Sequence, residues 1–168
     1  MAIALASLVL EAWHDLDRAT ADLSAEDAER RVGTASPISW SVAHCTQMVD
    51  SWLNVAFQGR AAHPLLSGDL LRRGASGDAP DWSAVQSAVR EVREAASGYL
   101  ESLREDHLAE RSSYAGSIAA LRETGFSPQY ALMRIAAHHY LHIGEIAMTR
   151  AALGHSVGDY PGLLERCL

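Results

Sequence analysis

The chain contains no lysine; all 14 of its basic residues are arginine. Schiff-base catalysis and a P-loop both need a lysine amine, so neither chemistry is available. Arginine at every basic position is the mark of a GC-rich bacterial coding sequence. Cysteine is scarce as well: Cys45 and Cys167 do not make a disulfide framework in 168 residues. Positive charge is in deficit, with a net charge of -7 and a pI near 5.5. Without a basic cluster to neutralise phosphates, nucleic acid is excluded as a partner. No run approaches the roughly 18 apolar residues of a membrane span, and the acidic balance disfavours a helix lying on anionic lipid. The apolar run Ala2 to Leu10 has no basic residues before it and passes straight into Glu11-Ala12-Trp13-His14-Asp15. That is the start of an amphipathic helix rather than a signal peptide. The expectation is a soluble cytoplasmic protein.

A chain of this length, 48% hydrophobic and 21% charged, fits one globular domain over 1–168. Leu5, Leu8, Val9, Ala12, Leu16, Ala19 and Leu23 recur at the helical period over about residues 3 to 23, with Glu11, His14, Asp15, Arg18 and Asp22 opposite. Ser24 caps a short turn that Gly33 ends. Ser36-Pro37 opens a second long helix, apolar on much of its circumference, which stops at Gly59. Gly68, Gly74, Gly77, Pro64 and Pro80 make residues 60–80 a long connection, with Leu65, Leu66, Leu70 and Leu71 as a short helical cover. Asp81 caps a third helix with the core stripe Val85, Val89, Val92, Ala96, Tyr99 and Leu103. A second irregular connection, 107–126, holds a helical turn around Ile118 to Leu121. Ser127-Pro128 then starts a fourth helix that ends before Gly154. Long helices without alternating strand patterns predict an all-α, four-helix bundle with long links between helices 2 and 3 and between helices 3 and 4.

The fourth helix carries His138-His139-Tyr140-Leu141-His142-Ile143-Gly144-Glu145. Residues at i, i+4 and i+7 share one stripe of a helix, so His138, His142 and Glu145 point the same way. Two imidazoles one turn apart can bind one divalent metal if a third ligand arrives from elsewhere. His139 with His142 is also a permitted spacing, but the stripe Ala131, Ile135, His138, His142, Glu145, Thr149 favours His138. His139 lies about 100° around the helix and is expected at the rim. His44, on the buried second helix, offers the third ligand. Taken alone it reads equally as a hydrogen-bonded core histidine. Three imidazoles with an exchangeable position are the arrangement of a catalytic rather than a structural zinc.

The segment His138 to Ile146 resembles the H-x-x-x-H-x-G-Q-I signature of the DinB/YfiT-like metalloenzyme superfamily. Ile38-Ser39-Trp40-Ser41-Val42-Ala43-His44 resembles that superfamily's second-helix motif, which ends in a metal-binding histidine. The resemblance extends over most of the chain. It implies a four-helix bundle, often a homodimer, with a divalent metal, zinc or nickel and alternatively iron, held by His44, His138 and His142. It also implies thiol-linked chemistry on a small-molecule substrate, such as S-transfer from a low-molecular-weight thiol of the mycothiol type or a thiol-dependent isomerisation like that of maleylpyruvate. The alternative is a non-catalytic, stress-related bundle that binds a metal or small molecule, since a fold does not fix a function.

The chain departs from the signature at Glu145, where the family has glutamine. This carboxylate can accept a hydrogen bond from the N–H of a ligand imidazole, act as acid or base, ligate directly, or simply pair with Arg134 or Arg150; the first and last readings are favoured. Trp40 and Met48, one turn either side of His44, are candidate pocket walls, and Arg134 a candidate fork for a substrate carboxylate. Glu11-x-x-His14 has the spacing of carboxylate-bridged di-iron bundles, but no second E-x-x-H accompanies it. Cys45 reads as a small buried apolar residue, Trp52 and Trp82 as core. His63, His107 and His155 are expected to face solvent.

Overall fold

The structure is a computed structural model that describes residues 3–71, 77–162 and 164. Cys167 and Gly74 lie outside the described residues. Among the described residues all regular structure is helical, and four long helices make the bundle: α1 (Ala4–Thr20), α3 (Ile38–Val49), α4 (Trp82–Ser102) and α6 (Pro128–Ala152). Two short ones, α2 (Ala25–Glu29) and α5 (Ala119–Thr124), sit in the connections. α1 packs along α6, and α3 lies between α6 and α4.

Side-chain caps start the helices where the sequence placed them. Ser24 accepts from Asp27 N, Asp81 from Ala84 N and Ser127 from Tyr130 N, each satisfying one orphan donor of a first turn. Pro128 stands in the first turn of α6 and Gly154, at φ 85°, follows its end. The second long helix does reach the Gly59 stop, but not as one α-helix. It is α-helical to Val49 and a π-helix over Asp50–Phe57. Along that wider coil Asn54 Nδ2 donates to Val92 O (3.1 Å) and Gln58 Nε2 to Ala95 O (3.2 Å), joining it to α4.

The two long connections fold back as covers over this helix. Turns at Pro64–Leu66 and Asp69–Leu71 bury Leu66 and Leu71. Gln47 Nε2 donates to Leu66 O and Trp40 Nε1 to Leu70 O, at 2.7 and 2.9 Å. In the second connection Ser112 and Phe126 exchange backbone hydrogen bonds of 2.9 and 3.0 Å. Gly125 makes that return possible. Its φ of 70° and ψ of 179° are conformations essentially confined to glycine, and a Cβ there would meet Ser112 O at 2.7 Å. Phe126 is thereby buried against Trp52, Phe57 and Tyr114.

The face of α1 expected to be polar is partly core. Glu11 and Asp15 are buried while His14 stays exposed. Asp15 is satisfied there by Arg18 Nη1 (2.7 Å), Tyr140 OH (3.3 Å) and Gly162 N (2.8 Å). A one-helix periodicity cannot show that a second helix and the chain's tail would both land on that face.

Candidate metal centre

Opposite α6, the seam of α3 carries His44 between the buried Ala43 and Cys45. Across it, α6 presents His138 and His142. One ring nitrogen from each of His44, His138 and His142 lies within 4.8 Å of the others. Ring centroids are 4.9 Å apart for His44 and His138, 5.3 Å for His44 and His142, and 4.5 Å for His138 and His142. The planes cross steeply, at 64°, 87° and 73°.

The donor set fits a divalent cation. His138 Nε2 and His142 Nε2 are 3.3 Å apart, and two ligands about 2.0–2.1 Å from a tetrahedral zinc are separated by about 3.3 Å. Buried ring nitrogens ordinarily have a partner, yet Nδ1 of His44 has none. Burial, then the repulsion of His142, holds His44 below the ordinary histidine range. Burial also drives His138 down to about 3, with His142, His44, His139 and Arg134 adding to the effect. Both rings are therefore neutral at neutral pH, the state a metal requires of its ligands.

His142 Nδ1 donates to Glu145 Oε2 at 2.6 Å. With its proton on Nδ1, the ring presents an Nε2 lone pair towards His138. A carboxylate behind a ligand imidazole fixes tautomer and ring orientation in this way. Neither arginine offered by the sequence takes Glu145 instead. Arg150 is buried with Nη1 on Ala19 O (3.2 Å) and Ala21 O (2.8 Å) at the end of α1, and Arg134 stands exposed a turn before His138. Trp40 stacks on His44 with centroids 4.7 Å apart and planes at 22°. A cavity of about 410 Å³ opens beside His44. Met48, Trp52, Leu71, Tyr114 and Ile118 give it apolar walls, and Ser51, Ser117 and Asp69 give it polar groups. Tyr114, Ser117 and Ile118 come from the second connection, which carries no local signal of such a role.

The remaining histidines differ from expectation. His139 is not at a rim but fully buried, its Nδ1 donating to Ile135 O at 2.9 Å, and burial pushes it down to about 3. The expected rim position lies under the bundle because α6 buries Ile135, His139, Ile143 and Ile146 together. His63 and His155 are only partly solvated, each half-buried beside a carboxylate. His63 is half-buried with Nε2 3.2 Å from Glu91 Oε2, and His155 Nε2 lies 3.1 Å from Asp27 Oδ2. His107 is half-buried in another cavity. Cys45 is fully buried, which pushes its thiol up and away from the nucleophilic form.

A family model described as the DinB superfamily matches residues 8–146. Among solved structures, the chain is similar to a conserved protein from Enterococcus faecalis, with a TM-score of 0.67 at 12% identity, covering 92% of this chain and 99% of that one. At that identity the likeness speaks for the fold alone. No curated protein matches the chain. Among the described residues no helix is long and apolar enough to cross a membrane.

Proposed function

The chain belongs to the DinB superfamily, and from that premise we propose that it is a divalent-metal-dependent enzyme acting through His44, His138 and His142. The observation that carries this reading is the convergence of three imidazoles from two helices to within 4.8 Å, beside a cavity. When bound, the cation supplies Lewis acidity, lowering the pKa of a thiol or water or polarising a carbonyl. Zinc and nickel suit an all-imidazole donor set, and iron is compatible with it.

The chain's own groups have distinct tasks. His44, His138 and His142 hold the ion and leave a position open. Glu145, as a positioning residue, keeps the proton on His142 Nδ1. Trp40 braces the His44 ring by stacking. Met48, Trp52 and Ile118 exclude water from one side of the cavity, while the hydroxyls of Ser51 and Ser117 give a substrate fixed hydrogen-bond partners. Such a cavity accommodates a small molecule with an apolar body and neutral polar groups.

The reaction best matched to an open imidazole-bound cation and to the α6 histidine signature is thiol-linked. A low-molecular-weight thiol of the mycothiol type would lose its proton to solvent, and its sulfur would either displace a leaving group that departs with the bonding electron pair, in S-transfer, or add to a conjugated double bond and be eliminated again after rotation, in a thiol-dependent isomerisation. Cys45 supplies no competing nucleophile, being sealed in the core. The test is consumption of thiol and electrophile by metal-loaded and metal-stripped protein across a panel of both. Turnover that needs the metal and is lost in His44→Ala supports the proposal. Stoichiometric metal with no turnover on the whole panel overturns it in favour of a non-catalytic binding bundle.

A further inference from the structure

α1 rests on α6 and α4 rests on α3, and between α1 and α4 a second cleft of about 400 Å³ remains. It shares no residue with the cavity beside His44. Val42 closes it from α3 and lies about 200° around that helix from His44, so the two openings flank α3 on different sides. A cleft of this size is within the range of small-molecule sites.

Its walls are apolar and its rim is charged. Leu16, Leu23, Val42, Trp82 and Val89 supply the walls. On α4 the lining is one stripe, in which Trp82, Gln86, Val89, Arg90 and Arg93 fall inside an arc of about 100°. Arg93 is already engaged. Its Nη1 donates to both carboxylate oxygens of Asp17, at 2.7 and 2.8 Å, and its Nη2 to Trp13 O at 3.3 Å. The same guanidinium lies over the Trp13 ring, 5.4 Å from its centroid. This clasp joins the two helices and uses one charge of each sign.

Two lining charges form no ion pair among the described residues, Arg90 on α4 and Asp22 just beyond α1. Arg90 Nη2 donates to Ser87 Oγ of its own helix at 2.9 Å, which leaves the rest of its donor fork open. Asp22 takes a left-handed φ of 58°, which aspartate adopts more readily than most side chains, and the chain that turns there brings Leu23 onto the wall. A ligand with one charge answers only one of these groups and sets its apolar body against the other. A compact zwitterion answers both.

We propose that this cleft binds a free amino acid with an apolar side chain, its carboxylate on Arg90 and Gln86 and its ammonium on Asp22. The planar guanidinium matches a carboxylate with paired N–H donors, and Gln86, one turn before Arg90, adds an amide N–H. The side chain of the ligand lies against Val42, Trp82 and Val89. No group of the candidate metal centre takes part, so this site and the metal reading stand or fall separately.

Calorimetric titration of the metal-loaded protein with three matched probes tests this: L-phenylalanine, hydrocinnamate, which lacks the ammonium, and phenethylamine, which lacks the carboxylate. L-Phenylalanine should bind with a dissociation constant of about 1 mM or below, and the other two at least about tenfold more weakly. Arg90→Ala and Asp22→Asn, both at exposed positions, should each weaken L-phenylalanine by about tenfold with unchanged circular dichroism. His44→Ala should bind it as the wild type does. No binding of L-phenylalanine at about 10 mM overturns the proposal. So does equal affinity for the three probes, or full affinity in Arg90→Ala and Asp22→Asn. Loss of binding in His44→Ala also overturns it, by placing the amino acid on the metal centre instead.

Discussion

Glu145 Oε2 and His142 Nδ1 stand 2.6 Å apart on the far side of the ring whose Nε2 faces His138. One helical turn thus holds a candidate ligand and the group that sets its tautomer. Glu145→Ala should weaken metal binding by about 10–100-fold, the usual cost of removing a carboxylate behind a ligand histidine. Glu145→Gln, which restores the family residue and keeps an acceptor oxygen, should retain most of the affinity. Chelator competition measures both, and an Ala variant as tight as wild type would remove Glu145 from the centre.

Each imidazole should be individually necessary for stable metal retention. Two remaining histidines do not make the three-ligand site that holds a cation while leaving a position open. Elemental analysis after desalting should find about one equivalent in the wild type and little in His44→Ala, His138→Ala or His142→Ala. His139→Gln should keep its metal, because that ring donates to Ile135 O inside the core. Equal metal in wild type and His44→Ala would sink the ligand assignment.

Acid should destabilise the metal-free protein across a defined window. His138 and His139 are both pushed down to about 3, by burial first, whereas an unfolded histidine titrates near 6.5. Between those values the unfolded chain binds more protons than the folded one, so stability falls as pH falls. The contribution is fully present above about 6.5 and is lost on descending towards 3. Urea midpoints measured across that range should drop more gently in His139→Leu than in wild type. Parallel slopes would show that the buried ring does not carry the effect.

Gly125→Ala should cost about 1–3 kcal/mol, the strain of a side chain in a glycine-only region, with Ser112 O in the way. Because Gly125 anchors the return of the second connection, the variant should also loosen the cavity wall at Tyr114 and Ile118. Denaturant unfolding gives the first quantity. Unchanged stability would mean that the Ser112–Phe126 pairing readily shifts.

Much of this molecule was legible in its residues. Ser24, Asp81 and Ser127-Pro128 mark helix starts through local hydrogen bonding, and the 3.6-residue period marks faces, so the all-α bundle and its boundaries follow from interactions within a few residues. The i, i+4, i+7 spacing places His138, His142 and Glu145 on one stripe for the same reason, and His44 was the natural third histidine. Periodicity on one helix says nothing of what packs against it. That is why His139 was expected at a rim and is core, and why Glu11 and Asp15 were expected in solvent and are buried.

Local sequence sets the helices, rules out lysine and disulfide-framework chemistry, and decides which side chains share a face. Tertiary structure alone decided that α3 and α6 would bring three imidazoles within 4.8 Å, that two irregular connections would close over His44 as a cavity, and that Asp15 would tie down the tail. The reason is one of range. Caps and periods are set by neighbours along the chain, whereas the meeting of His44 with His138, and of Trp52 with Phe126, depends on which faces pack, a choice made by the whole core at once.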